Sequence, residues 1–98
     1  MATTNATTTN AITTAALIDG YADVAGHRSE WMARGPERDA MRAAARKAWD
    51  FVLALHMGEH FTPERFTETT REIDALMANA GAKRLSARTS EWLAAFTA

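Results

Sequence analysis

Between Pro36 and Gly58 the apolar residues Met41, Ala45, Ala48, Val52 and Leu55 return at alternating steps of four and three, with Trp49 and Phe51 beside them. That is the period of one helix face turned towards a core. A second stripe, Phe66, Thr70, Ile73, Met77 and Ala80, repeats the pattern after Pro63. A third, Leu85, Thr89, Trp92 and Phe96, runs towards the C-terminus. Before them, Leu17, Tyr21, Val24, Trp31 and Met32 suggest a broader apolar face on a helix that starts at Thr13 or Thr14 and runs to about Arg34. No alternation of period two occurs, so no strand is predicted.

The punctuation between stripes agrees with these elements. Gly35 suits the end of the first helix and Pro36 the first turn of the second. In "FTPERF", Thr62 can cap, Pro63 takes the first helical position and Glu64 favours the positive helix end. Gly81 is a natural stop, and a last helix is expected from about Ser86. Gly20 and Gly26 fall inside the first helix, where they either admit a close neighbour or weaken and bend it. The expected fold class is all-α, a small four-helix bundle-like domain over residues 13–98. The Thr/Ala/Asn-rich residues 1–12 have no apolar period and read as a short flexible tail.

Composition narrows the class further. Ninety-eight residues suffice for one core, and twenty-two alanines against two prolines and five glycines suit helices. The absence of cysteine excludes disulfides, thiolate metal sites and a thiol nucleophile. The N-terminus lacks the basic and apolar regions of a secretion signal, and no apolar run is long enough to span a bilayer. A cytoplasmic protein without a membrane partner is expected. A net charge of -1 gives no general attraction to nucleic acid, so such a partner would need a local basic patch.

Three constellations bear on chemistry. The first is His-x-x-Glu-His, formed by His56, Glu59 and His60, the spacing of an inverted zinc-hydrolase motif. Two histidines four apart share a face only while the helix continues through both. Gly58 interrupts the segment, Pro63 follows closely, and the downstream carboxylates Glu68, Glu72 and Asp74 sit on a face expected to be solvated. The preferred reading makes His56 a half-buried helix residue beside Trp49, Val52 and Leu53, and His60 a loop residue. Neither a metal nor any other cofactor is expected, and no catalytic residue is assigned.

The second constellation is a ladder of Arg34, Arg38, Arg42 and Arg46 at steps of four. It forms a slanting basic ridge. Glu64, Glu68 and Glu72 carry the same step, but across a hairpin turning near residue 60 the two ridges are out of register. Only Arg46 or Lys47 reaches Glu72 or Asp74 easily. Locally, Glu30–Arg34, Asp39–Arg42 and Arg46–Asp50 have suitable spacing, which leaves Arg38 without an obvious mate. The ridge is either a solvated face or a docking surface for an acidic partner.

The third is "REIDALMANAGAKRLSARTSEWL". Leu76 and Ala80, then Gly81, then the basic Lys83, Arg84 and Arg88 with Ser86 follow in an order that resembles the helix-turn-helix of small bacterial repressors. The resemblance implies a DNA-binding regulator reading through Lys83, Arg84 and Arg88, within residues 72–92. It departs from that pattern at Met77, Ala82 and Ala87, where the usual residue sizes differ.

Trp31, Trp49 and Trp92 complete the inventory. Trp49 is expected in the core, whereas Trp31 and Trp92 lie near helix ends, where full burial is harder. Tryptophan and arginine are enriched at binding hot spots. The expected function is therefore a non-enzymatic protein-interaction or regulatory module, acting alone or as a self-associating homo-oligomer. Its partner surface would be acidic or mixed and would meet Trp31, Arg34, Arg38 and Arg42.

Overall fold

The computed structural model describes the backbone of residues 2–58 and 61–97, with all of their side chains except those of 2–11, 83–87 and 97. Four helices follow in order: α1 (Ala2–Glu30), α2 (Pro36–His56), α3 (Pro63–Asn79) and α4 (Lys83–Thr97). The described residues include no strand. Each helix packs on its neighbours in the chain, and α4 returns to pack on α1, so the four close a ring whose diagonal pairs make no close backbone approach among the described residues. Short connections make successive helices antiparallel. The domain measures 50 × 19 × 18 Å, with the bundle axis along the long dimension.

The turns use the residues that helix ends need. Thr62 accepts a hydrogen bond from the Arg65 amide at 3.1 Å, and Pro63 occupies the first turn of α3. At the other end of α3, the Gly81 amide donates to Ala78 O at 3.0 Å and the Ala82 amide donates to Met77 O at 3.2 Å. This double closure needs a left-handed residue, and Gly81 supplies it with φ 77°. Met77 and Ala82 are both buried, adding the apolar contact that accompanies such a turn.

The α2 and α3 stripes lie where their period places them. Met41, Ala45, Ala48, Val52 and Leu55 are all buried, as are Phe66, Thr70, Ile73, Met77 and Ala80. Thr70 satisfies its hydroxyl inside α3 by donating to Phe66 O at 2.9 Å. Phe51, Phe61, Phe66 and Phe96 form an aromatic cluster between α2, α3 and α4, in which Phe66 and Phe96 stack with centroids 4.1 Å apart. Phe66 and Phe96 are equidistant from Gly81 along the chain, as an antiparallel hairpin requires. Lys47 Nζ meets Glu72 Oε2 at 2.6 Å, one of the cross-hairpin pairs that register arithmetic allows.

α1 departs from expectation at both ends and on its face. It begins at Ala2, not at Thr13 or Thr14, although threonine and asparagine outnumber alanine in the first turns; no glycine or proline breaks the run before Gly20. It ends at Glu30, not near Arg34, in a turn where the Trp31 amide donates to Arg28 O. The buried face consists of Thr14, Ala15, Ile18, Tyr21, Ala22, Ala25 and Ser29. Of the five residues expected inside, only Tyr21 is buried; Met32 is half-buried, and Leu17, Val24 and Trp31 stand outside. Small residues bring the α1 and α2 backbones close, so alanine is worth more in this seam than a larger side chain. A Cβ added at Gly20 or Gly26 meets nothing within 4 Å, so neither glycine serves a close approach.

The tryptophans also exchange roles. Trp92 is 1% exposed, wedged edge-on against Tyr21 with centroids 4.7 Å apart, because α4 lies in the ring between α1 and α3. Trp49 is 50% exposed, since the core stripe of α2 leaves its position on the opposite flank. The Tyr21 hydroxyl is buried without a hydrogen-bond partner among the described residues. Burial, followed by the nearby Asp74 charge, pushes its pKa well above the ordinary tyrosine range.

Candidate interaction surface

The basic ridge starts in the α1–α2 turn and climbs the outer face of α2. Arg34, Arg42 and Arg46 are exposed. Among the described residues, no ion pair forms at Glu30–Arg34, Asp39–Arg42 or Arg46–Asp50. The solvated charges gain too little from such pairs to hold long side chains together. Arg38 is different. Its Nε donates to Ser29 O at 3.1 Å, satisfying a carbonyl at the end of α1. The residue that lacked a mate on paper is thus a clamp between α1 and α2.

Trp31 is 88% exposed, but it does not join this ridge in one cavity. It lines an open depression of about 350 Å³ at the end of the bundle, with Arg28, Met32, Met41 and the α3–α4 turn. Arg42 instead lines a separate groove of about 360 Å³ between α1 and α2. Its floor is small, formed by Ala22, Gly26 and Ala45. Asp23 and Glu30 line the α1 side, and Arg42 and Trp49 the α2 side.

Beyond Trp49 the outer face of α2 turns apolar. Leu53 is 58% and Met57 73% exposed, and both follow Trp49 at steps of four. Trp49 itself stands seven residues beyond Arg42, so basic and apolar residues share one line along the helix. Parallel to it on α1, Ile12, Asp19, Asp23 and Glu30 succeed one another at steps of seven, four and seven. All four are exposed, Ile12 to 58%. His27 Nε2 lies 3.6 Å from Asp23 Oδ1 within this edge. The outer α1–α2 face thus carries an acidic edge that ends in Ile12 and, on α2, an edge where Arg42 and Arg46 stand beside the exposed Asp39 and Asp50 and which ends in Leu53 and Met57, away from the connecting turn.

Leu53 and Met57 were readable in principle. Trp49, Leu53 and Met57 form a second stripe on α2, and a helix that commits Met41, Ala45, Ala48, Val52 and Leu55 to the core must leave that stripe outside.

The other two constellations find less support. α2 ends at His56, which is exposed rather than half-buried, and Gly58 follows with φ 76°. Glu59 and His60 lie outside the described residues. No group of three or more potential ligands that could hold a metal occurs among the described residues. α3 and α4 form an antiparallel hairpin with Phe66 stacked on Phe96, whereas a helix-turn-helix reader crosses its helices at about 90–120°. Arg88 is exposed on α4, and the side chains of Lys83 and Arg84 lie outside those described. No described helix is long and apolar enough to cross a membrane. No known protein family, curated protein or solved structure matches this chain.

Proposed function

We propose that the protein is a small non-enzymatic helical interaction module, acting in the cytoplasm, that docks a protein through the outer α1–α2 face. The observation that carries this reading is the line of Arg42, Arg46, Trp49, Leu53 and Met57 along the solvent side of α2. Single exposed apolar residues are ordinary; three consecutive helical positions continuing a basic ridge make a contiguous patch of the kind that marks an interface. The arginines speed encounter with an acidic surface and lose influence as salt rises, while desolvating Trp49 slows dissociation. The partner surface is therefore acidic and partly apolar. Trp31 stands apart in the other depression, and Arg38 is occupied in holding α1 to α2, so Arg42 and Trp49 become the anchors.

The test is capture of binding proteins by the immobilised wild type and by Trp49→Ala and Arg42→Glu variants, with nuclease-treated and untreated lysates. Circular dichroism confirms that each variant folds. Proteins retained by the wild type and lost from both folded variants are expected. Retention that is equal for all three places the interface elsewhere, and retention abolished by nuclease favours nucleic acid.

A further inference from the structure

The acidic, partly apolar surface that the α2 ridge requires is present on the same molecule, across the groove, on α1. We propose that the outer α1–α2 face is an isologous homodimer interface, in which α1 of each copy lies antiparallel on α2 of the other. This rests on the reading of that face as a docking surface and names its partner as a second copy of the chain.

The geometry follows from the levels of the two edges. Arg38 is level with Ser29 through its hydrogen bond, and the groove brings Asp23 and Gly26 together with Arg42 and Ala45. Counting away from the turn in both helices, Asp19 comes level with Trp49 and Ile12 with His56. A two-fold axis parallel to the helices exchanges the edges and keeps the levels. Asp23 then meets the partner's Arg46, Glu30 lies about 6 Å along the axis from the partner's Arg42, within reach of its long side chain, and Ile12 falls between the partner's Leu53 and the partner's Met57. The partner's Trp49 comes level with Asp19 and Gly20 on the open surface of α1, where a Cβ added at Gly20 would meet nothing within 4 Å. Every contact occurs twice; the exposed Asp39 and Asp50 lie on the same α2 edge, level with the partner's Glu30 and the partner's Asp19, so the attraction is carried by Arg42 and Arg46 alone. The other face-to-face arrangement, with the two-fold axis across the helices, sets the arginines of one copy against the partner's Leu53 and the partner's Met57.

The size of the face sets the strength. α2 has 21 residues, about 31 Å of helix, and the bundle is 19 Å wide. A face of those dimensions offers roughly 600 Å² per copy, close to the lower limit for a stable interface. A dimer that forms and dissociates reversibly at micromolar concentration is expected, strengthened at low salt.

Sedimentation equilibrium of the full chain, from micromolar to millimolar concentration, reads the assembly directly. The wild type should pass reversibly from monomer to dimer, and Trp49→Ala should weaken the dimer at least about tenfold, as befits a central aromatic anchor. Charge reversal tests the geometry. Asp23→Lys with Glu30→Lys puts base against base in its own dimer, and Arg42→Glu with Arg46→Glu puts acid against acid; each should be monomeric. Mixed in equal amounts, the two should recover a dimer, because each copy then offers the other its missing sign. Circular dichroism of each variant distinguishes lost pairing from lost folding, and a variant that unfolds is replaced by its single substitutions. A wild type that stays monomeric throughout, or a dimer indifferent to both reversals, overturns the proposal. A monomer that still captures another protein in a Trp49-dependent way overturns self-association alone; a monomer that captures nothing overturns the docking reading as well.

Discussion

The two seams that α2 makes within the bundle are built from different materials. Towards α3 it contributes Phe51, which meets Phe61 and Phe66 in a cluster of tilted and edge-on rings. Around the α1–α2 seam the core is lined largely by alanine: Ala15, Ala22 and Ala25 from α1, with Ala44, Ala45 and Ala48 from α2. The alanine-lined seam is nevertheless the more extensive contact at the backbone level. Large side chains stabilise by the area each removes from water; small ones stabilise by letting two backbones share a long, close boundary. The first is vulnerable to deletion and the second to insertion.

The sharpest break in that contrast should come from Phe66→Ala. Phe66 is fully buried and touches Phe51 and Phe96, so its loss should cost about 3–5 kcal/mol, read as a lower urea midpoint with an unchanged slope. A loss below about 1 kcal/mol would show that the cluster collapses around the gap and that deletion is not its weakness.

This contrast also decides what could be read from sequence. The α2 and α3 stripes announce themselves because Met41, Val52, Leu55, Phe66, Ile73 and Met77 fix the helical spacing into which Ala45, Ala48, Thr70 and Ala80 fall, and all ten of the residues in those stripes are buried. α1 hides its core face, since Ala15, Ala22 and Ala25 are not distinguishable by hydropathy from Ala16, which is exposed. Leu17, Val24 and Trp31 are conspicuous at steps of seven and mislead for that reason. Lys47–Glu72 was accessible to simple register counting because both partners lie on regular helices around one turn. The Arg38 clamp was not, because it depends on where α1 ends, and the α1–α2 turn starts four residues earlier than the pattern implies. The groove with Arg42 and Trp49 needs two helices placed side by side, which no single periodicity encodes.

Insertion is the complementary test. Ala25→Leu forces a larger side chain into the close seam and should cost about 1–3 kcal/mol, whereas Ala16→Leu, on the exposed side of the same helix, should stay within about 0.5 kcal/mol. Thermal unfolding of the pair measures the difference. Equal, small effects would mean that the seam has slack and that the division between the two kinds of packing fails.

The smallest effect should come at Tyr21, the large buried side chain of α1 that ends in a polar group. Tyr21→Phe removes a buried hydroxyl with no partner and keeps the edge contact on Trp92, so the variant should gain about 1 kcal/mol. The folded chain holds the phenolic proton more tightly than the unfolded chain does. Wild-type stability should therefore fall as pH rises above about 10, and the Phe variant should lack that component of the fall. Parallel pH series of urea midpoints check the sign; identical alkaline slopes would show that Tyr21 does not contribute.

The ring of helices also has a kinetic meaning. Three of its four seams join helices adjacent in the chain, and only α1–α4 brings distant segments together. Local contacts form with little loop-closure entropy, which places such a topology among fast folders. Closing the circle is then the expensive event, and it is made where Tyr21 meets Trp92. That pair marks the step at which a chain of hairpins becomes a closed bundle.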